Sequence, residues 1–123
     1  MWMVWIALLF AASPKSPAAS PKSPPPCRGN PALVGKCFTI HGRFRAYNGN
    51  PTFRIRPIGT ERLIGVTGAK PGDPPIMPEN LACGFDCDVV ADFDLCPFSK
   101  SNPGVMQRAC IESAGGRVTY ERH

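Results

Sequence analysis

Ile40-His41-Gly42-Arg43-Phe44-Arg45-Ala46-Tyr47-Asn48-Gly49-Asn50-Pro51-Thr52-Phe53-Arg54-Ile55-Arg56 is the stretch that decides the fold. Ile40, Gly42, Phe44 and Ala46 fall on one side of an extended chain, and His41, Arg43, Arg45 and Tyr47 on the other. That period of two marks a strand with one face in a core. Asn48-Gly49 then signals a hairpin, because both central residues of a type I′ turn need positive φ. Beyond it Phe53 and Ile55 resume the apolar face, and Arg54 and Arg56 the polar one. A two-residue turn at Asn48-Gly49 sets Phe44 opposite Phe53, Arg43 opposite Arg54 and His41 opposite Arg56. A shift of two residues keeps the faces and changes only the partners.

Outward from this hairpin the pattern repeats in short units. Pro57 ends the second strand or bends it at an edge, and Arg62 to Val66 make a third. Residues 68–82 hold Pro71, Pro74, Pro75 and Pro78 and read as a loop, with room for one helical turn at Glu79 to Ala82. Asp88 to Cys96 form a fourth strand and Val105 to Glu112 a fifth, joined by a loop closed at Asn102-Pro103-Gly104. Arg117 to Glu121 add a short edge strand. Fifteen prolines and twelve glycines sit mostly between the apolar runs, where they punctuate strands and turns. The expected fold is all-β, a small antiparallel barrel or sandwich of five or six short strands, with an OB-like barrel as its specific form.

Ahead of this domain, assigned to residues 37–121, lie two other segments. Residues 1–12, Met-Trp-Met-Val-Trp-Ile-Ala-Leu-Leu-Phe-Ala-Ala, are apolar throughout and carry no charge. The run is too short to span a bilayer and matches a signal-peptide core, although no basic residue precedes it and Pro14 follows its small residues at once. Residues 13–36 are a spacer and lead-in to the fold. Within residues 12–24 the hexapeptide Ala-Ser-Pro-Lys-Ser-Pro occurs twice, and proline at that density enforces an extended, polyproline-like chain. Two lysines there are too few to hold nucleic acid by counterion release. The expected location is secreted or periplasmic, with membrane contact only through an uncleaved N-terminal segment.

The six cysteines fit that location as a disulfide framework supplementing a modest core. Structural zinc calls for two close ligand pairs. Only Cys83 and Cys87 are close, while Cys27, Cys37, Cys96 and Cys110 are scattered, so neither metal nor cofactor is expected. In the hairpin around Asn102-Pro103-Gly104, Cys96 falls opposite Cys110 and Phe98 opposite Arg108. A Cys96–Cys110 bridge is therefore expected, which leaves Cys27 for Cys37 and Cys83 for Cys87.

Two strings of residues carry a resemblance. One is Cys37-Phe38, Tyr47-Asn48-Gly49-Asn50-Pro51, Arg54-Ile55, Gly59-Thr60 and Gly65-Val66. The other is Cys96-Pro97-Phe98, Pro103-Gly104-Val105-Met106-Gln107 and Cys110-Ile111-Glu112-Ser113-Ala114. Over residues 36–67 and 92–114 the chain resembles a group of small uncharacterised exported bacterial proteins. The resemblance implies an exported small domain and carries over no catalytic residue. The Cys83/Cys87 pair and the proline-rich loop are not features of that group.

A net charge of +5 and a pI near 9.1 favour acidic partners. Arg43, Arg45, Arg54 and Arg56 concentrate that charge on one side of the first hairpin, where guanidinium forks suit carboxylate or phosphate. Tyr47 adds a stacking surface. Asp86, Asp88, Asp92 and Asp94 share a parity on the fourth strand and offer internal partners instead. They lack the spacing of a calcium-binding EF-hand loop. Cys83-Gly84-Phe85-Asp86-Cys87 has three intervening residues where the thioredoxin-like motif has two. Ser99, Ser101 and Ser113 have no histidine suitably near, so no enzyme is expected. The reading is a non-enzymatic exported binding module whose arginine face meets an anionic envelope component or protein, with nucleic acid disfavoured. Its alternative is a structural domain with the arginines neutralised internally; a small redox or hydrolytic enzyme ranks behind both.

Overall fold

The computed structural model describes residues 26–123 apart from 80 and 82, so the signal-like segment and most of the spacer lie outside the described residues. The alternating stretch forms β1 (Phe38–Ala46) and β2 (Phe53–Pro57). They are followed by β3 (Ile64–Val66), β4 (Cys87–Pro97) and β5 (Gln107–Arg122). The strands close into a barrel in the order β1-β2-β3-β5-β4. Every pairing is antiparallel except β3 with β5, which is parallel. The domain is thus all-β with the ring order of an OB-like barrel.

Inside the ring, the apolar parity of each strand meets in one core. Phe44, Ile55, Ile64, Val89, Phe93, Leu95 and Ile111 are all buried there. Phe44 stacks on Phe53 with ring centroids 5.2 Å apart and lies tilted against Phe93 at 6.2 Å. A second, smaller cluster sits outside the barrel wall. Cys27, Cys96, Phe98 and Cys110 are buried together, with Ala32, Leu33, Ala69 and Ile76 packed around them. Residues 27–36 therefore pack as a flap over β4 and β5.

Three expectations change. First, β1 and β2 pair as Phe44↔Ile55, Arg43↔Arg56 and Arg45↔Arg54. This is the two-residue shift that preserves the faces. It arises because the connection is a six-residue loop, closed by the Tyr47 amide on the Thr52 carbonyl and containing a cis Asn50-Pro51 bond, rather than a tight Asn48-Gly49 turn. Second, the fifth strand and the short edge strand are a single element. Gly115-Gly116 does not stop β5: Gly116 takes φ +66° and the register shifts between Val90 and Asp92, so the glycines make a bulge. The helical turn expected at Glu79 to Ala82 includes residues 80 and 82, which lie outside the described residues; a 3₁₀ turn forms at Gly84–Asp86.

Third, the disulfides are Cys27–Cys110, Cys37–Cys96 and Cys83–Cys87. The Cys96–Cys110 and Cys27–Cys37 pairings are overturned, although Cys96 and Cys110 are register partners and Phe98 does face Arg108. The Phe98 amide donates to the Arg108 carbonyl, which makes 98/108 a hydrogen-bonded pair and, by alternation, 96/110 another. Such pairs hold their Cα atoms about 5.5 Å apart, a separation a disulfide can span, so spacing alone does not decide the pairing. The flap brings Cys27 and Cys37 to each sulfur instead.

Candidate functional site

The charged side chains of β1, β2, β4 and β5 share the outer wall of the barrel. Asp88 is its centre: one step beyond the Phe44↔Val89 pair it lies beside Arg45, and on its other side it opposes Glu121. Arg45 donates twice to it, Nε to Oδ1 at 2.8 Å and Nη2 to Oδ2 at 2.9 Å. Arg43 Nη1 reaches Asp88 Oδ2 at 3.1 Å and Glu121 Oε1 at 2.6 Å, and His123 Nε2 lies 2.6 Å from Asp88 Oδ1. The carboxylate is buried beneath these groups, with 1% of its surface exposed. Burial pushes the Asp88 carboxyl up, but the hydrogen bonds from Arg45, His123 and Arg43 outweigh it and hold the group at about 2. Arg43 is raised by Glu121 and Asp88, and Arg45 by Asp88.

The acidic row continues to find partners along β4. Asp92 meets His41 Nδ1 at 2.8 Å, and Asp94 meets Arg28 of the flap at 2.6 Å. Asp86, before the strand, contributes its carbonyl to the amide of His123. Half of the expected arginine face is therefore interlocked with aspartates, and the other half is not. Arg54 and Arg56 on β2 have no carboxylate within ion-pair distance among the described residues. Arg54 lies over the Tyr47 ring, 4.8 Å from its centroid, and gives Nε to the Pro51 carbonyl at 2.9 Å. Arg56 Nε is buried with no hydrogen-bond partner. The structure thus divides the four arginines by strand.

A recess of about 380 Å³ opens next to Arg54, between the β1–β2 loop and the chain after β3. Pro51, Phe53 and Val66 supply apolar lining, and Lys70 and Arg108 supply cationic lining beside Asp73. Arg108 lies two strands from Arg54, because both are register partners of Gly65. Gly65 lacks the side chain that would separate them: a Cβ there would sit 2.6 Å from Pro51 Cγ. The sequence signal for this site was weak, since Lys70 and Arg108 lie in a loop and on a distant strand, and only the parallel β3–β5 pairing unites them with β2.

Two other groupings carry less. The sulfurs of Cys27 and Cys96 and a carboxylate oxygen of Glu112 lie within 4.8 Å of one another. Both sulfurs are in disulfides, and Glu112 is engaged by the amides of Cys27 and Arg28 at 3.0 and 2.9 Å. The His41–Asp92 pair resembles the orienting half of a hydrolytic triad. Among the described residues no serine, threonine or cysteine bonds to His41, and the pair is solvent-exposed.

No family model, curated protein or solved structure matches this chain. Three disulfides point to an oxidising, extracytoplasmic environment. Among the described residues no helix is long and apolar enough to cross a membrane.

Proposed function

We propose that the protein is an exported, non-enzymatic binding module, secreted or periplasmic, that contacts an anionic partner through the β2 side of its barrel. The observation that carries this reading is the unequal treatment of the four arginines. Arg43 and Arg45 spend their donors on Asp88 and Glu121, whereas Arg54 and Arg56 have no acidic counterpart among the described residues. Arg54 is also held in place, by the Tyr47 ring and the Pro51 carbonyl, and a positioned guanidinium recognises a carboxylate or phosphate at less entropic cost than a mobile one. Arg108 and Lys70 extend the positive surface to the neighbouring recess.

Retention of the purified chain on a heparin resin tests the assignment. Arg54→Gln with Arg56→Gln should elute at lower salt than Lys36→Gln with Lys100→Gln, which removes equal charge from exposed positions away from β2. Salt should narrow the difference, since exposed charges are screened over about 10 Å at 0.1 M. Equal elution of the two double variants would reduce the effect to net charge. The Asp88 cluster supports a structural role for Arg43 and Arg45, and their replacement should lower stability more than retention.

A further inference from the structure

Among the described residues, one edge of β5 has no partner beyond Ile111. On the barrel side β5 pairs with β3 only over Gln107–Ala109, and the Ile111 amide makes one further bond to the Ile76 carbonyl. From there to Arg122 the backbone of the strand bonds to β4 alone among the described residues. The amide of His123 donates to the Asp86 carbonyl, so alternation directs the backbone groups of Thr119 and Glu121 toward β4 and those of Val118 and Tyr120 away from it. Residues 117–122 are exposed, and Val118, Tyr120 and Phe85 account for half of the exposed large hydrophobic residues described. An open edge rich in β-branched and aromatic residues is a template for another strand.

We propose that this edge pairs with itself, joining two copies of the chain antiparallel about a two-fold axis at Thr119. The side chains select that occupant. In the register that places Thr119 opposite Thr119 of the second copy, Val118 faces Tyr120 and Arg117 faces Glu121, each pair occurring twice. Threonine with threonine, aliphatic with aromatic and opposite charges are the favourable cross-strand combinations. Val118 and Tyr120 present their outward backbone groups to each other as hydrogen-bonded pairs. Arg117/Glu121 and Thr119/Thr119 fall in the closer, non-hydrogen-bonded class. Shifting by two residues in either direction loses the charge match: Glu121 then faces Thr119 or Gly115. Glu121 also receives Arg43 within its own chain, yet nearly half of its side chain is exposed, so it has room for a second guanidinium. An edge defended only against association has no need of this symmetry, in which Arg117 and Glu121 stand equally far from Thr119 with opposite charge.

Sedimentation equilibrium of the full chain tests the proposal through a charge exchange. The wild-type chain should be a dimer. Arg117→Glu and Glu121→Arg each turn two attractions into two repulsions and should raise the dimer dissociation constant at least about tenfold. An equimolar mixture of the two variants should dimerise again, because every facing pair in the mixed dimer is once more of opposite charge. A mixture no more associated than its components would overturn the assignment, as would a wild-type chain that remains monomeric. Glu121→Arg also disturbs Arg43, so Thr119→Cys provides a separate readout. Under oxidation it should give a disulfide-linked dimer, and Val118→Cys much less. A monomeric Thr119→Cys chain would defeat the proposed axis.

Discussion

Asp88 is a carboxylate with 1% of its surface exposed, receiving two guanidinium groups and lying against one imidazole. Removing the charge strands Arg43 and Arg45 beside a neutral amide. Asp88→Asn should destabilise the domain by about 2–3 kcal/mol, somewhat below a fully buried pair because the arginines keep part of their hydration. Denaturant titration at neutral pH measures this directly. The same group sets an acid limit. Its carboxyl is held at about 2 in the fold against 3.8 ordinarily. Its contribution is complete above about pH 4 and disappears as the pH falls toward 2, a loss of about 2 kcal/mol. Stability measured between pH 5 and 2 should fall in that window, and the fall should be smaller in Asp88→Asn. The acidic row and its shared parity were visible in the sequence. Which aspartate takes which arginine was not, because it depends on the β1–β4 register, and those strands are separated by some forty residues of chain.

At the scale of elements, two glycines fix how the strands approach. A Cβ on Gly42 would come 2.7 Å from Ile55 Cγ2 and 3.1 Å from the Arg56 carbonyl, and one on Gly65 would strike Pro51 and lie 3.0 Å from Met106 Sδ. Both substitutions to alanine should cost about 1–3 kcal/mol through overpacking. They should differ in consequence. Gly65→Ala pushes on the loop that carries Pro51, the acceptor of Arg54, and should weaken heparin retention as well as stability; Gly42→Ala, which crowds Ile55 in the core and only the backbone of Arg56, should lower stability more than retention. Strand content was legible because alternation and proline punctuation are local signals. Turn type was less so: Asn48-Gly49 suits a tight turn, but the chain spends residues 47–52 on a wider loop that folds Pro51 over Gly65. Gly115-Gly116 likewise reads as a break in the sequence and acts as a bulge in the strand, since β4 supplies a continuous partner on either side.

For the whole molecule, the flap and its two disulfides decide cohesion. Cys27–Cys110 and Cys37–Cys96 span 83 and 59 residues of chain, against 4 for Cys83–Cys87. Replacing Cys27 and Cys110 by alanine should destabilise the domain by about 2–5 kcal/mol. Replacing Cys83 and Cys87 should cost less, because so short a loop restrains little of the unfolded chain, and thermal denaturation of both variants orders them. Non-reducing peptide mapping should recover Cys27 linked to Cys110 and Cys37 to Cys96. The hairpin geometry that places Cys96 beside Cys110 was readable from the turn residues. The flap was not, since Pro31-Ala32-Leu33-Val34 has no periodicity and resembles the end of the spacer.

The nested pattern of these bridges, Cys37–Cys96 inside Cys27–Cys110, also imposes an order in time. A chain delivered N-terminus first presents Cys27 and Cys37 to an oxidising solution well before Cys96 and Cys110 arrive. The first two thiols are ten positions apart with nothing yet to separate them, so the earliest bridge within reach is one the finished molecule does not contain. Maturation therefore depends either on oxidation slow enough to wait for the last strands or on a catalyst that reshuffles the premature link. Oxidative refolding without a thiol reagent should accumulate a Cys27–Cys37 species, and adding a glutathione couple should convert it to the native pairs.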